Sequence, residues 1–187
     1  MSLRIIAGRH RRRRIETPAG LATRPTSERA REALFGILEH GSPPVRGSQF
    51  LDLYAGSGAV GLEALSRGAA GVTLIDLASA AVRVITANIE ALGERERVRV
   101  VRADACRLGT APCPFDIVFI DPPYGGGLLP PTLTGLAAGG WLAPGARIVA
   151  EVAARETVSP PTAFTVEDER LYGLARLIFL RQAAAAV

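Results

Sequence analysis

A chain of 187 residues and 19.7 kDa has room for one domain with a complete hydrophobic core and not for two. Hydrophobic residues at 48%, charged residues at 21%, 20 Gly and 13 Pro exclude collagen-like, coiled-coil and wholly disordered chains. Neither a run of about 18 apolar residues nor a leader-like apolar block is present, so no membrane span is expected and the expected address is cytoplasmic. Cys106 and Cys113 stand at a spacing that matches no zinc or thioredoxin pattern, so reduced thiols and no bound metal are expected.

The net charge of +4 is unevenly spread. Residues 1–16 carry six arginines (Arg4, Arg9, Arg11, Arg12, Arg13, Arg14) against Glu16, a local charge of +5, so the remaining chain is left at −1. The basic character therefore belongs to an N-terminal arm. Guanidinium groups suit phosphate oxygens, and the arm reads either as a nucleic-acid contact or as a solvated, solubilising extension.

After the arm, Arg24-Pro25-Thr26-Ser27 carries a proline and hydroxyls able to cap a helix, and Ala30, Leu34, Ile37 and Leu38 recur on one helical face. Gly41 to Gly47 ends that helix. Phe50 to Tyr54 reads as a strand, followed by a glycine turn and a helix over Gly61 to Arg67. Val72 to Asp76 is a second strand, and Val82, Ile85, Ile89 and Leu92 mark a helix that stops at Gly93. Val98 to Val101 is a third strand. The apolar run Phe115 to Ile120 suggests a strand buried on both faces, left abruptly at Asp121-Pro122-Pro123. A helix over Leu128 to Leu136, interrupted near its start by Pro130-Pro131, precedes a fifth strand at Arg147 to Val152. Phe164 to Glu167 and Ala175 to Leu180 pair as an antiparallel edge. The alternation predicts an α/β fold: a doubly wound, Rossmann-like sheet, mostly parallel, with helices on both faces. The expected organisation is a basic arm over residues 1–23, the folded domain over 24–182 and a frayed tail over 183–187.

Gly56-Ser57-Gly58-Ala59-Val60-Gly61 matches G-x-G-x-x-G between a strand and a helix, with Asp76 ending the next strand. Charge selects the ligand. A dinucleotide would bring a pyrophosphate against Asp52 at the end of the first strand, where an anion is repelled. S-adenosylmethionine brings a sulfonium and an ammonium, which Asp52 attracts. The glycines let the backbone approach closely, Asp76 can accept the ribose hydroxyls, and Asp104 after the third strand can meet the adenine amino group. The candidate donor-binding set is Asp52, Ala55, Gly56, Ser57, Gly58, Gly61, Asp76, Leu77, Asp104 and Ala105. Each acid alone would read as a solvated carboxylate or a cap; three at successive strand ends mark a ligand crevice.

Asp121-Pro122-Pro123-Tyr124 follows the fourth strand, beside that crevice. An exocyclic amine on a nucleobase delocalises its lone pair into the ring and is a poor nucleophile until it becomes more tetrahedral. Accepting its two hydrogens on the Asp121 carboxylate and the Pro122 carbonyl would aim the lone pair at a sulfonium methyl, and the prolines hold those acceptors in place beforehand. Tyr124 offers a ring on which a splayed base can stack.

These segments, together with Arg4-Ile5-Ile6-Ala7-Gly8, Arg24 to Arg29 with Leu34-Phe35, and Asp52 to Gly58 running on to Gly61 through Gly68, resemble the RsmD-type bacterial methyltransferases over nearly the whole chain. The resemblance implies transfer of a methyl group from S-adenosylmethionine, leaving S-adenosylhomocysteine, to N2 of a guanine in 16S ribosomal RNA. It also implies Thr26 or Arg29 near the methionine end of the donor, and a hairpin-like arm whose Arg9, Arg11, Arg13 and Arg14 dock RNA. A monomer is expected, with the small-subunit RNA as partner and ribosomal proteins of the same particle as further candidates. Two departures stand out: Arg12 where relatives commonly carry Gly, and Asp76 where they often carry Glu.

The same corner would serve a DNA methyltransferase acting on adenine N6 or cytosine N4, but no segment remains for a sequence-reading domain. A protein-amide methyltransferase usually carries Asn where Asp121 stands. A non-catalytic RNA-binding module is the rival from another class.

Overall fold

The computed structural model describes residues 3–18 and 28–183. Its elements are β1 (Leu3–Arg4), β2 (Arg14–Ile15), α1 (Glu28–Glu39), β3 (Gln49–Leu53), α2 (Ala59–Ser66), β4 (Gly71–Asp76), α3 (Ser79–Leu92), β5 (Val98–Arg102), a 3-10 turn at Ala105–Arg107, β6 (Phe115–Ile120), α4 (Leu129–Ala138), β7 (Leu142–Ala153), β8 (Phe164–Tyr172) and β9 (Ala175–Gln182). A seven-stranded sheet runs in the order β5-β4-β3-β6-β7-β9-β8. The pairs from β5 through to β7 are parallel, whereas β9 runs antiparallel to both β7 and β8. The expected doubly wound sheet with an antiparallel edge is the fold observed.

Strand alternation splits the core in two. On β3 and β6, Phe50, Ile117 and Phe119 join the layer under α1, α2 and α3, while Leu51, Leu53, Val118 and Ile120 join the layer under α4 with Leu133 and Trp141. All seven sheet residues are at most 1% exposed, so each contributes on the order of 1.5–3 kcal/mol through burial. The strand order reverses between β3 and β6, and a crevice therefore opens at their carboxyl ends. The glycine loop follows β3, and the Asp-Pro-Pro-Tyr corner follows β6. The N–H of Asp121 donates to the Leu53 carbonyl at 3.3 Å, so the corner starts against the base of the glycine loop.

Several boundaries differ from the sequence reading. Pro130 and Pro131 do not interrupt α4 but occupy its first turn, where the missing N–H has no helical acceptor to lose. The fifth strand begins five residues early, at Leu142, because Phe115 pairs with Leu142 before a register irregularity. β8 extends to Tyr172 because the ladder with β9 holds even where the strand is mostly exposed. Arg24 to Ser27, read as a helix start, and residues 184–187 of the expected tail lie outside the described residues.

Residues 3–18 of the basic arm form a docked hairpin. β1 and β2 pair antiparallel, and Leu3, Ile5 and Ile15 are buried in the same core layer as α2 and α3. Arg12 takes φ 69°, a left-handed conformation that favours glycine, so an arginine holds this turn with some backbone strain. Gly8 is required: at φ 80° a Cβ there would stand 2.0 Å from the Ser66 carbonyl oxygen. Glu63, fully buried on α2, accepts the N–H groups of Ile6 at 2.7 Å and Ala7 at 2.9 Å and pairs with Arg67 at 2.8 Å. Arg31 lies 3.8 Å from the same carboxylate and donates to the Arg4 carbonyl; burial pulls its guanidinium below the usual range, and Glu63 opposes that shift.

Candidate active site

The glycine loop is held open by backbone geometry. Gly56 and Gly58 have φ of 57° and 78°, and the Gly58 N–H closes the turn on the Ala55 carbonyl at 2.7 Å. Gly61 serves packing: a Cβ there would lie 2.6 Å from a Leu74 methyl and 3.2 Å from Asp52 Oδ2, so only glycine lets α2 approach β3 and β4 this closely.

Three acids meet around the loop, each already bound to backbone. Asp52, 2% exposed, accepts the Gly61 N–H at 2.8 Å and so caps α2 from the neighbouring strand. Burial pushes its carboxyl up to about 7, the Gly61 hydrogen bond opposes that, and Asp76 adds to it. Asp76 accepts the Gly56 N–H on Oδ2 and the Ala78 N–H on Oδ1, both at 2.8 Å. A carboxylate has about four acceptor positions, so two such bonds leave Asp76 able to accept a pair of hydroxyls. Asp104 accepts the Cys106 N–H at 2.9 Å and stands 3.8 Å from Arg107. Leu77, beside Asp76, is 62% exposed, an apolar surface suited to the face of an aromatic ring. Ala55 is half-buried, while Ser57 in the loop and Ala105 in the 3-10 turn are buried.

The residues present fit S-adenosylmethionine. With its pKa raised to about 7, Asp52 is only partly ionised near neutral pH and gains full charge when a cation arrives, so desolvation that would be a liability alone becomes a preference for a positively charged ligand. Among the described residues, the basic side chain paired with these three acids is Arg107, which is exposed.

Tyr54 was absent from the sequence-derived site. It takes φ 60° directly after β3, and its hydroxyl lies 2.7 Å from Thr132 Oγ1 on α4 and 3.3 Å from Cys106 Sγ. Burial, with the Cys106 contact adding, pushes that hydroxyl well above its ordinary value, so it stays protonated and ties the glycine loop to α4 and to the 3-10 turn. A non-glycine residue just ahead of a glycine loop carries no sequence signal for such a strut.

At the corner, Asp121 is half-buried, Pro122 buried, and Pro123 and Tyr124 exposed. The Tyr124 hydroxyl donates to Glu151 Oε1 at 3.1 Å from the end of β7, and the Gly125 N–H donates to Glu156 at 3.2 Å. Glu151, 3% exposed, is a second residue that spacing alone did not reveal.

The remaining candidates sit elsewhere. Thr26 lies outside the described residues, and Arg29 is exposed in the first turn of α1. On the hairpin, Arg11 and Arg14 are exposed, Arg9 pairs with Glu94 at 3.2 Å, and Arg13 donates to the Ala91 carbonyl. Arg9 and Arg13 are thus partly spent on holding the hairpin to α3.

The chain is similar to known proteins over most of its length. The family model described as "Conserved hypothetical protein 95" matches residues 3–181. The chain is 39% identical over 184 residues to "Ribosomal RNA small subunit methyltransferase D" of Escherichia coli, covering 97% of this chain and 91% of that protein. The protein of the same name in Haemophilus influenzae is 32% identical, covering 92% and 90%. A solved structure described as "Putative methyltransferase yhhF from Escherichia coli" superposes with a TM-score of 0.82 at 38% identity, covering 98% of this chain and 99% of that one. With a match that spans nearly every described element, from the hairpin to β9, this chain belongs to the Conserved hypothetical protein 95 family.

Proposed function

We propose that this protein transfers the methyl group of S-adenosylmethionine to the exocyclic N2 of a guanine in 16S ribosomal RNA, gripping the amine between Asp121 and Pro122. Family membership makes it an S-adenosylmethionine-dependent methyltransferase of small-subunit ribosomal RNA. The observation that carries it is the junction of the two loops: the Asp121 N–H reaches the Leu53 carbonyl, so the acidic donor loop and the Asp-Pro-Pro-Tyr corner open into one crevice at the sheet reversal.

When bound, S-adenosylmethionine supplies an electrophilic methyl group on a sulfonium. Asp52, Asp76 and Asp104 hold the cationic, ribose and adenine parts, with Leu77 against the ring. The Asp121 carboxylate and the Pro122 carbonyl each accept one amino hydrogen, which draws nitrogen toward a tetrahedral shape and points its lone pair away from them. The amine needs no strong base beforehand, because its proton becomes acidic only on alkylation; Asp121 is then placed to receive it. Tyr124, tethered to Glu151, stacks on the target base, and holding amine and methyl in line supplies much of the acceleration. Thr26 and Arg29 serve the donor's carboxylate, and the hairpin arginines Arg9, Arg11, Arg13 and Arg14 serve RNA phosphates. The protein acts as a monomer.

The test is transfer of labelled methyl groups to small subunits lacking the modification, with the product nucleoside identified by mass spectrometry. N2-methylguanosine is the expected product. Methylated adenine or cytosine would move the assignment to another amine, and donor binding without transfer would favour a binding module.

A further inference from the structure

Asn88 on α3 is 3% exposed and divides its amide between two distant segments. Its Oδ1 accepts the Glu16 N–H at 2.8 Å, and its Nδ2 donates to the Glu16 carbonyl and to the Ser57 carbonyl, both at 3.0 Å. Glu16 follows β2 directly and ends the basic hairpin; Ser57 is the centre of the glycine loop, between the two glycines at positive φ. We propose that Asn88 is a positioning residue that couples occupancy of the donor loop to docking of RNA on the hairpin. The inference rests on the function proposed above.

The hairpin's other side-chain anchors bypass the loop. Glu63 holds Ile6 and Ala7, Ser66 holds Ala7 and His10, and Glu94 holds His10. These belong to α2 or to the turn after α3, and two further anchors, Arg31 on α1 to the Arg4 carbonyl and Arg13 to the Ala91 carbonyl on α3, also bypass the loop. Among the side-chain hydrogen bonds of the described residues, those of the Asn88 amide join the hairpin to the loop. An amide that makes three hydrogen bonds in a buried site has little freedom to follow one partner without moving the other. A ligand that orders the Ser57 carbonyl therefore orders Asn88 Nδ2, and through it the Glu16 peptide two residues from the exposed Arg14. Linkage makes the effect reciprocal: RNA that fixes the hairpin raises donor affinity by the same factor.

The experiment measures the affinity of small subunits lacking the modification for the protein, with and without saturating S-adenosylhomocysteine, in the parent chain and in Asn88→Ala, Asn88→Asp and Ser66→Ala. Asp keeps the shape and the acceptor but loses the donor to both carbonyls, so it reads out the link if the alanine variant folds poorly; melting curves check folding. The parent is expected to bind about five-fold more tightly with S-adenosylhomocysteine, the low end of ordinary coupling between sites. Both Asn88 variants should lose that ratio, while Ser66→Ala weakens subunit binding at both donor levels and keeps it. A parent ratio of one, or an unchanged ratio in both Asn88 variants, overturns the coupling and leaves the methyl-transfer reading standing. Subunits that bind neither parent nor variants overturn the RNA assignment, and the coupling with it.

Discussion

The two loops that meet at the sheet reversal are built in opposite ways. The donor loop is fastened from beneath: Asp52 and Asp76 take the N–H groups of Gly61, Gly56 and Ala78, each at 2.8 Å, and Tyr54 braces the loop against α4. The acceptor corner is an exposed arch from Pro123 to Gly127 with two glycines at positive φ, reached from β7 and the turn after it by Glu151 at 3.1 Å and Glu156 at 3.2 Å. A small charged donor gains from a site whose dipoles are set before it arrives, whereas a base still attached to a large RNA needs an entrance that stays accessible. On the proposed reading, the hydrogen-bonded loop lies where charge must be organised and the exposed arch where the substrate is bulky.

The sharpest way to break this contrast is to remove function from one loop and look for damage in the other. Asp121→Ala should reduce transfer by about 10²–10³-fold, the scale of losing a preorganised polar contact in the transition state, while S-adenosylhomocysteine affinity by calorimetry stays within a few-fold. Equal losses in both measurements would mean the loops are not separable.

Asp52→Asn should do the reverse, weakening donor binding by about 10- to 100-fold, since a charge-assisted contact contributes on the order of 1.5–3 kcal/mol. The same variant should melt higher than the parent at pH 8. The sign follows from burial: Asp52 titrates near 3.8 unfolded and near 7 folded, so between those values the folded state holds the extra proton. Stability therefore falls as pH rises from about 4 to about 7 and is flat above that. The gap between variant and parent should close toward pH 5. Donor affinity should run the opposite way in the parent, increasing through pH 7 as Asp52 ionises. A variant that never melts higher would place that carboxylate in a more polar setting than its 2% exposure implies.

Changes on the hairpin should leave both loops intact. Replacing Arg11 and Arg14, the exposed pair, should lower the slope of RNA affinity against salt by about 0.7 per residue if they meet single-stranded phosphates. Replacing Arg13, whose guanidinium is engaged by Ala91, should change that slope less. The smallest effect is expected from Tyr124→Phe, which keeps the ring and loses the tether to Glu151: a drop in transfer below ten-fold, carried by KM for RNA.

The order of strands, the glycine loop and the Asp-Pro-Pro-Tyr corner were legible because each is written in adjacent residues: an apolar run that ends in prolines, or glycines at fixed offsets. What remained hidden depends on pairs far apart in the chain. Glu63 reads as an ordinary helical acid, yet it meets Ile6 and Ala7, 57 and 56 residues away. Asn88 reads as a polar helix position, yet it faces Glu16 across 72 residues. Asp52 was recognisable as an acid at a strand end, but its turn beneath α2, and the resulting rise in its pKa, follow from how closely Gly61 lets the helix sit. The arm's arginines announced a basic extension and said nothing of the apolar residues between them, Ile5 and Ile15, that bury it.

That burial bears on how the molecule can be engineered. Deleting the first fifteen residues to isolate the sheet would leave the buried Glu63 carboxylate without the two amides that solvate it and the buried Arg31 without the Arg4 carbonyl it donates to. A trimmed chain should aggregate on expression, and an affinity tag belongs at the other terminus.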